Sequence, residues 1–457
     1  MNILASKRQL DMLHGPLWNK LPQFALPVAA TAILEQLFNA SDLAVVGNFT
    51  APGVRTAAVA AVGANSSIIT LIVNLFVGIT LGANVVIANA IGARDHTTVH
   101  KAVHTSVVLA LVGGLAMALV GELIAAPLLA LLQVPADVFP LALLYLRIYL
   151  LGMPVILLYN FEAAIFRSVG APRVPLVVLT FSGILNVLLN LFFVIVLHMS
   201  VDGVATATVL SNAVSAVLLF RVLRRTPMEV RVEPRDLRID VPCMKHILRI
   251  GLPAGIQSAV FSLANIVIQS GINRLGTVVM AGSSAAFNIE IITYDILNAF
   301  GQACTTFTGQ NVGAGQLPRC KRTLGLCLVE GVLILAAAVA LILFVGKPLL
   351  SIFNSDPAVV DTGYIRLKMV MTAHLFSLLY EVMSGYLRGF GISLLPAVLT
   401  TIGVCGIRIA WMQWVFPLNP TFQTIMWVYP ISLSTTALLL FLALVHCRPA
   451  RRFAEEK

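Results

Sequence analysis

Carboxylates and amides recur at helical spacing in this chain, inside stretches that are otherwise apolar. Glu35 and Asp42 are seven residues apart with Asn39 between them, so a helix carries all three on one face. Asn186 and Asn190 are four apart and share a face in the same way. In the second half Glu290 and Tyr294 are four apart, and His374, Ser377, Glu381 and Arg388 follow one another at one- or two-turn intervals. A carboxylate among amide and hydroxyl oxygens is a donor set for a hard cation, so Asp42, Asn186 and Asn190 are candidate Na+ ligands. The same carboxylate can instead take up and release a proton. Glu290, Tyr294, His374 and Glu381 are candidates for a cationic substrate or a second coupling site.

Each of these residues also has a purely structural reading. Asp42 can pair within an interhelical core, and Asn186 and Asn190 can join helices by hydrogen bonds. His374 can be a core histidine with both nitrogens satisfied. Glu290 and Glu381 can belong to a buried lattice with Arg147, Arg366, Lys368 and Arg408, which also lie in apolar stretches and need partners. Glu162 and Arg167 read as structural.

What must position these groups is a set of membrane-spanning helices. Hydrophobic residues are 58% of the 457 and charged residues 11%, against roughly 25% charged in soluble domains; the mean hydropathy is +0.92. So few charges cannot cover a surface facing water, and lipid is the solvent expected for most of the chain. A helix crosses the hydrocarbon core in about 20 residues. Twelve apolar stretches qualify: 21–46, 57–90, 103–126, 139–162, 174–197, 203–223, 247–272, 277–308, 324–345, 363–387, 394–416 and 424–446. They are too long and continuous for barrel strands. No small-residue cleavage site follows Leu21–Ile33, so that stretch reads as a spanning helix and not as a cleaved signal.

The formal net charge of +10 finds its explanation in topology. With both termini cytoplasmic, 23 of the 30 Lys and Arg fall in inward-facing segments, including Lys7, Arg8, Lys20, Arg388 and Lys457. Only Arg55, Arg274 and Lys347 fall outside. That asymmetry orients the chain and removes the need for a nucleic-acid partner. The six cysteines show no paired spacing, which argues against a disulfide frame or a metal site. There is no GxxxxGK[ST] loop for ATP, no HExxH and no Ser–His–Asp layout, so no cofactor and no enzyme activity are expected.

The chain also repeats itself. Ala90–Arg94 (AIGAR) matches Asn311–Gly315 (NVGAG), and Pro127-Leu128-Leu129 matches Pro348-Leu349-Leu350. Arg167, Gly170 and Pro175 match Arg388, Gly391 and Pro396. Two halves of six helices each are the result: residues 1–223, a polar linker over 224–246, and residues 247–457. The expected fold is an all-α membrane protein of twelve transmembrane helices in two six-helix bundles related by pseudo-twofold symmetry, an architecture suited to alternating access.

Several segments together resemble the multidrug and toxic compound extrusion (MATE) family, most closely its DinF-like bacterial branch. They are Gln36–Gly47 with its aspartate, Ala60–Gly63, Phe166–Pro172, Leu185–Asn190, Gly203–Thr208, Thr308–Ala314 and Leu387–Gly389. The resemblance covers nearly the whole chain. It implies an antiporter of the bacterial inner membrane that expels organic cations or amphiphiles in exchange for H+ or Na+ and works as a monomer. It also implies an ion-linked cluster whose matching positions are Asp42, Asn186, Asn190 and Thr208, with Glu35 a turn or two away along helix 1. Asn190 departs from the aspartate of that branch. The acids that the NorM branch carries on its seventh and tenth helices do not transfer: the seventh stretch here has none, and Glu381 is one turn from the matching position. A lipid-linked oligosaccharide flippase of the same superfamily is the alternative. Its polyanionic cargo calls for a basic cavity, whereas Glu35, Asp42, Glu162, Glu290, Asp295 and Glu381 outnumber the four basic residues assigned to the spans.

Overall fold

A computed structural model describes residues 9–455; Lys7, Arg8 and Lys457, used above in the charge asymmetry, lie outside them. The described residues form helices and connecting turns, with no strand among them. The long helices are α1 (Lys20–Phe49), α2 (Pro52–Gly92), α3 (His96–Leu131) and α4, which is made of Phe139–Leu151 and Met153–Ser168. They continue as α5 (Arg173–Val196), α6 (Val201–Arg225), α7 (Val241–Asn273) and α8 (Thr277–Gly313). The last four are α9 (Leu317–Phe344), α10 (Pro357–Gly389), α11 (Leu394–Leu418) and α12 (Phe422–Cys447). Each covers one of the twelve apolar stretches.

Nine of these are long and apolar enough to cross a membrane outright, and α4 does so as a bent pair. The other two, α8 and α10, are too polar to pass on composition. They hold Glu290 and Asp295, and Arg366, Lys368, Glu381 and Arg388. Glu290, Asp295, Arg366, Glu381 and Arg388 are covered by protein, whereas Lys368, which the sequence offered as a member of a buried lattice, is exposed. By contrast, α3 and α9 turn rows of large apolar residues outward, such as Leu115, Leu119 and Leu123, or Val329, Leu333 and Leu341. In water such faces would be unstable; in hydrocarbon they are the natural surface.

The bend in α4 has a local cause. Gly152 separates its two segments, which meet at 50°, and Pro154 follows without an N–H to continue the ladder. Neighbours close on the break. A Cβ on Gly152 would come within 2.4 Å of Val209 in α6, and one on Gly114 of α3 within 2.4 Å of the Pro154 Cα. Bulk at either position would push the helices apart. α5 ends in a π-helical turn, Phe192–Val196, immediately after Asn190, and α11 carries two, Thr401–Gly406 and Trp411–Val415, on either side of Arg408. Such turns re-aim side chains and are frequent at functional positions.

Packing groups the chain into two compact units. Ala30–Ile91 and Asp95–Gly251 belong to one; Asp11–Ala29, Gly92–Arg94 and the chain from Leu252 belong to the other. The linker 224–246 thus packs within the first unit, and α1 passes from the second unit to the first two residues after Pro27. The core of the first unit draws on α2 to α6, with residues such as Val103, Leu146, Phe161, Phe166 and Leu219 fully buried. The second unit is built on a close pairing of α8 and α10. Gly385 lies against the Gly301 carbonyl so closely that a Cβ would sit 2.4 Å from it. Small residues here let the two backbones touch.

Candidate functional site

In the first unit three helices bring a polar cluster together. α5 and α1 meet at Gly183, where an added Cβ would fall 1.8 Å from the Phe38 ring. One turn further along each helix, that approach sets Asp42 opposite Asn186 and Asn190. The Asn190 amide donates to Asp42 Oδ1 at 2.5 Å and to Asn186 Oδ1 at 3.2 Å. The Thr208 hydroxyl of α6 lies 3.0 Å from Asp42 Oδ2 and 3.0 Å from the Val204 carbonyl. Ser215 donates to Ser182 at 2.5 Å and ties α5 to α6 two turns away. Asp42, Asn186, Asn190 and Thr208 are all buried.

Two features of this cluster bear on chemistry. First, neutral groups alone hold the carboxylate: among the described residues no Lys, Arg or His stands within ion-pair distance of Asp42. A buried carboxylate without a counter-charge is costly unless a proton or a cation neutralises it. Second, the donors can rearrange. Thr208 has one hydroxyl proton and two acceptors in reach, Asp42 and Val204. Asn190 Oδ1 is buried and has no hydrogen-bond partner. Rotating that amide would turn an oxygen toward Asp42 and complete an oxygen-rich set for a cation, or an acceptor for an acid proton.

Glu35 is not part of this cluster. It is exposed, with Arg167 and Tyr159 within electrostatic reach. Tyr145 and Tyr149, one turn apart on α4 with stacked rings 6.4 Å apart, lie within electrostatic reach of Asp42. The sequence reading left these tyrosines out, although their four-residue spacing was a signal. Tyr145 is part of the buried core of the first unit, and Tyr149 is half-buried, so of the two Tyr149 has ring surface to offer an organic cation. Glu162 is fully buried, and neither of its carboxylate oxygens has a hydrogen-bond partner.

The second unit treats its acids differently. Glu290 on α8 is held at two points by Arg366 on α10, with Nε 3.0 Å from Oε2 and Nη2 on Oε1. Arg366 also donates to Ser283 at 2.8 Å and lies against the Phe287 and Tyr429 rings. Glu381 is 3.8 Å from Arg388, whose guanidinium donates to Gln257 on α7. Arg408 donates to Asn265 and is sandwiched by Phe261 and Tyr429 at 5.0 and 4.7 Å. His374 Nδ1 meets the Thr293 hydroxyl at 2.9 Å, and Tyr294 stacks on the Phe261 ring and meets the His374 ring at a tilt of 56°. Glu290, Tyr294, His374 and Glu381 therefore do gather in one place, in a lattice where each acid already faces an arginine. This changes the charge argument made from sequence. Arg388, assigned there to an inward loop, is buried beside Glu381, so this interior is not acid-rich. Arg147 pairs with Glu122 at 3.3 Å on a more exposed part of the first unit.

A family model described as MatE matches residues 27–192 and 253–412. A Bacillus subtilis protein named as the probable multidrug resistance protein YpnP is 27% identical over 399 residues, covering 87% of this chain and 88% of its own length. A Thermotoga maritima protein named as the probable multidrug resistance protein NorM is 27% identical over 411 residues, covering 85% and 84%. Among solved structures, an outward-facing multidrug resistance MATE family transporter superposes with a TM-score of 0.87 at 22% identity, over 97% of both chains. That last likeness concerns the fold, which is the twelve-helix transporter fold, six helices from each half.

Proposed function

The chain belongs to the MatE family of membrane transporters, and from that premise we propose that it is a secondary antiporter exporting small amphiphilic or cationic organic compounds. The exchange ion, H+ or Na+, is taken up at Asp42. The observation that carries this reading is the buried Asp42 carboxylate held, among the described residues, by Asn190, Thr208 and, through Asn190, Asn186, with no cationic side chain in ion-pair reach. Its compensating charge must be one that can come and go, which is what an antiporter requires of a coupling site. A carboxylate paired to arginine would have no such need.

In this mechanism the incoming ion neutralises Asp42 and relaxes the Asn190 and Thr208 hydrogen bonds. The hydroxyl of Thr208 then turns to the Val204 carbonyl. Asp42 lies on α1, so a change in its bonding is transmitted along the helix that carries Pro27, a position where the hydrogen-bond ladder is already interrupted. The half-buried Tyr149 supplies aromatic surface for the cargo, and release of the ion restores the first arrangement. The chain is oriented with both termini in the cytoplasm of a bacterium and works as a monomer. The relatives' names, multidrug resistance proteins in both cases, favour drug export over lipid-linked sugar transfer.

The test is dye efflux from proteoliposomes of defined orientation. Ethidium is loaded and an H+ or Na+ gradient imposed, with wild type and Asp42→Asn compared. Efflux driven by one gradient and lost in the variant supports the reading and names the ion. Wild-type rates in Asp42→Asn would remove Asp42 from coupling.

A further inference from the structure

The linker between the two halves lies against a row of histidines at the start of α3. His96, His100 and His104 are four residues apart and occupy successive turns, so their imidazoles share one face. The facing linker is acidic at matching intervals. His96 is 3.6 Å from Glu229, and His100 Nε2 is 3.3 Å from Asp236 Oδ2. Lys101 is 3.5 Å from Asp240, and the Asp240 N–H donates to Thr105. Lys101 thus takes up the charge of Asp240. Asp236 has no Lys or Arg within ion-pair distance among the described residues, and His100 is its partner.

The His100 and His104 rings are 4.0 Å apart, and one donor atom from each of His100, His104 and Asp236 lies within 4.8 Å of the others. Two imidazoles and a carboxylate are a donor set for Zn2+, which takes nitrogen at about 2.0–2.1 Å and oxygen at about 2.0–2.2 Å. Tetrahedral ligands at those lengths stand about 3.4 Å apart, so the three side chains must close by little more than an ångström. The histidine at 104 is already oriented for this. Its Nδ1 donates to the His100 carbonyl at 2.7 Å, the backbone contact that commonly fixes the tautomer of a metal-bound imidazole. Its Nε2 lone pair accepts the Glu233 N–H at 3.0 Å, a neutral bond that a metal ion would replace.

We propose that His100, His104 and Asp236 bind a transition-metal ion of the Zn2+ class, and that the ion clasps the linker to the first turns of α3. The site joins an element of fixed structure to residues 226–240, the part of the linker between α6 and α7, where the helical structure is the short 3-10 turn Pro234–Asp236. Occupancy therefore stiffens the connection between the halves. Two exposed arginines, Arg235 and Arg238, flank Asp236 and report on that stiffening as trypsin sites.

The experiment uses the full chain in detergent, with any affinity tag removed and metals stripped by chelator. Zn2+ binding is measured by titration calorimetry, and tryptic cleavage at Arg235 and Arg238 is followed with and without Zn2+. Wild type should bind one equivalent and become resistant at both arginines. His100→Ala and Asp236→Asn should bind at least about tenfold more weakly and lose the protection. His96→Ala, which removes a histidine of the same row that lies outside the trio, should behave as wild type in both assays. Folding of each variant is checked by its elution on size exclusion. No saturable Zn2+ binding by wild type, or equal binding by folded His100→Ala and Asp236→Asn, overturns the site. Binding without protection at Arg235 and Arg238 overturns the clasp.

Discussion

Asp42 in the first unit of this transporter and Glu290 in the second are buried in opposite ways. In the first, Asp42 is 5% exposed and touches only amides and a hydroxyl. In the second, Glu290 is as deeply buried but locked to Arg366 at two points, and Glu381 faces Arg388. A guanidinium tethered to a packed helix cannot leave, so the charge of Glu290 is permanently compensated and serves to join α8 to α10. The compensation of Asp42 has to arrive from outside the fold. Burial is shared by both acids; what separates them is whether the counter-charge is a fixed part of the fold.

The largest expected effect tests that contrast directly. Asp42→Asn should reduce gradient-driven efflux to the leak of empty liposomes while leaving thermal unfolding in detergent unchanged or slightly raised, because an amide is cheaper to bury than a carboxylate. A large drop in stability with coupling intact would reverse the roles assigned to the two units. Next comes Glu290→Gln, which strands Arg366 in the interior. The loss should be about 3–5 kcal/mol, read as a fall in melting temperature. Replacing both partners, Glu290→Gln with Arg366→Met, should recover most of it. A Glu290→Gln protein of normal stability that fails to transport would instead make Glu290 a functional acid.

Smaller effects sharpen the first-unit site. Thr208→Val keeps the shape but removes a hydrogen bond to a charged group worth about 1.5–3 kcal/mol. It should move the ion concentration for half-maximal efflux by roughly tenfold or more, with no comparable effect from Thr293→Val beside His374. Gly183→Ala should be the mildest. The new methyl meets the Phe38 ring, and overpacking of this kind costs about 1–3 kcal/mol. Transport should fall and then recover when Phe38→Leu is added. Failure of that rescue would mean that α1 and α5 are not positioned by this contact.

Much of the fold was legible in the chain before any coordinates. Eleven of the apolar stretches became one long helix each and the stretch at 139–162 a bent pair, because crossing hydrocarbon demands a run of fixed length, and run length is a property of consecutive residues. The stretches that became α8 and α10 qualified on length alone, although their composition is more polar than that of their neighbours. Faces within one helix were equally legible, as with Asn186 and Asn190. Other features were hidden. Arg388 continues the face of Glu381 in the sequence yet also counts among the inward charges, and its packing against Glu381 and Gln257 shows it to be interior. Tyr145 and Tyr149 carry a regular spacing, but nothing in a single helix says that they lie within electrostatic reach of Asp42. The histidine row on α3 was equally regular, and its meaning depends on acids more than 120 residues later in the chain.

By itself, then, the sequence determined the solvent, the number and length of the helices, the internal repeat and the candidates for chemistry. These follow from composition and periodicity, which are local or additive. The tertiary structure decided which candidates meet: Asp42 with Asn190 across 148 residues, and Glu290 with Arg366 across 76. That decision is energetic. A buried charge is tolerable only beside what neutralises it, and the neutralising group is chosen by how the helices pack.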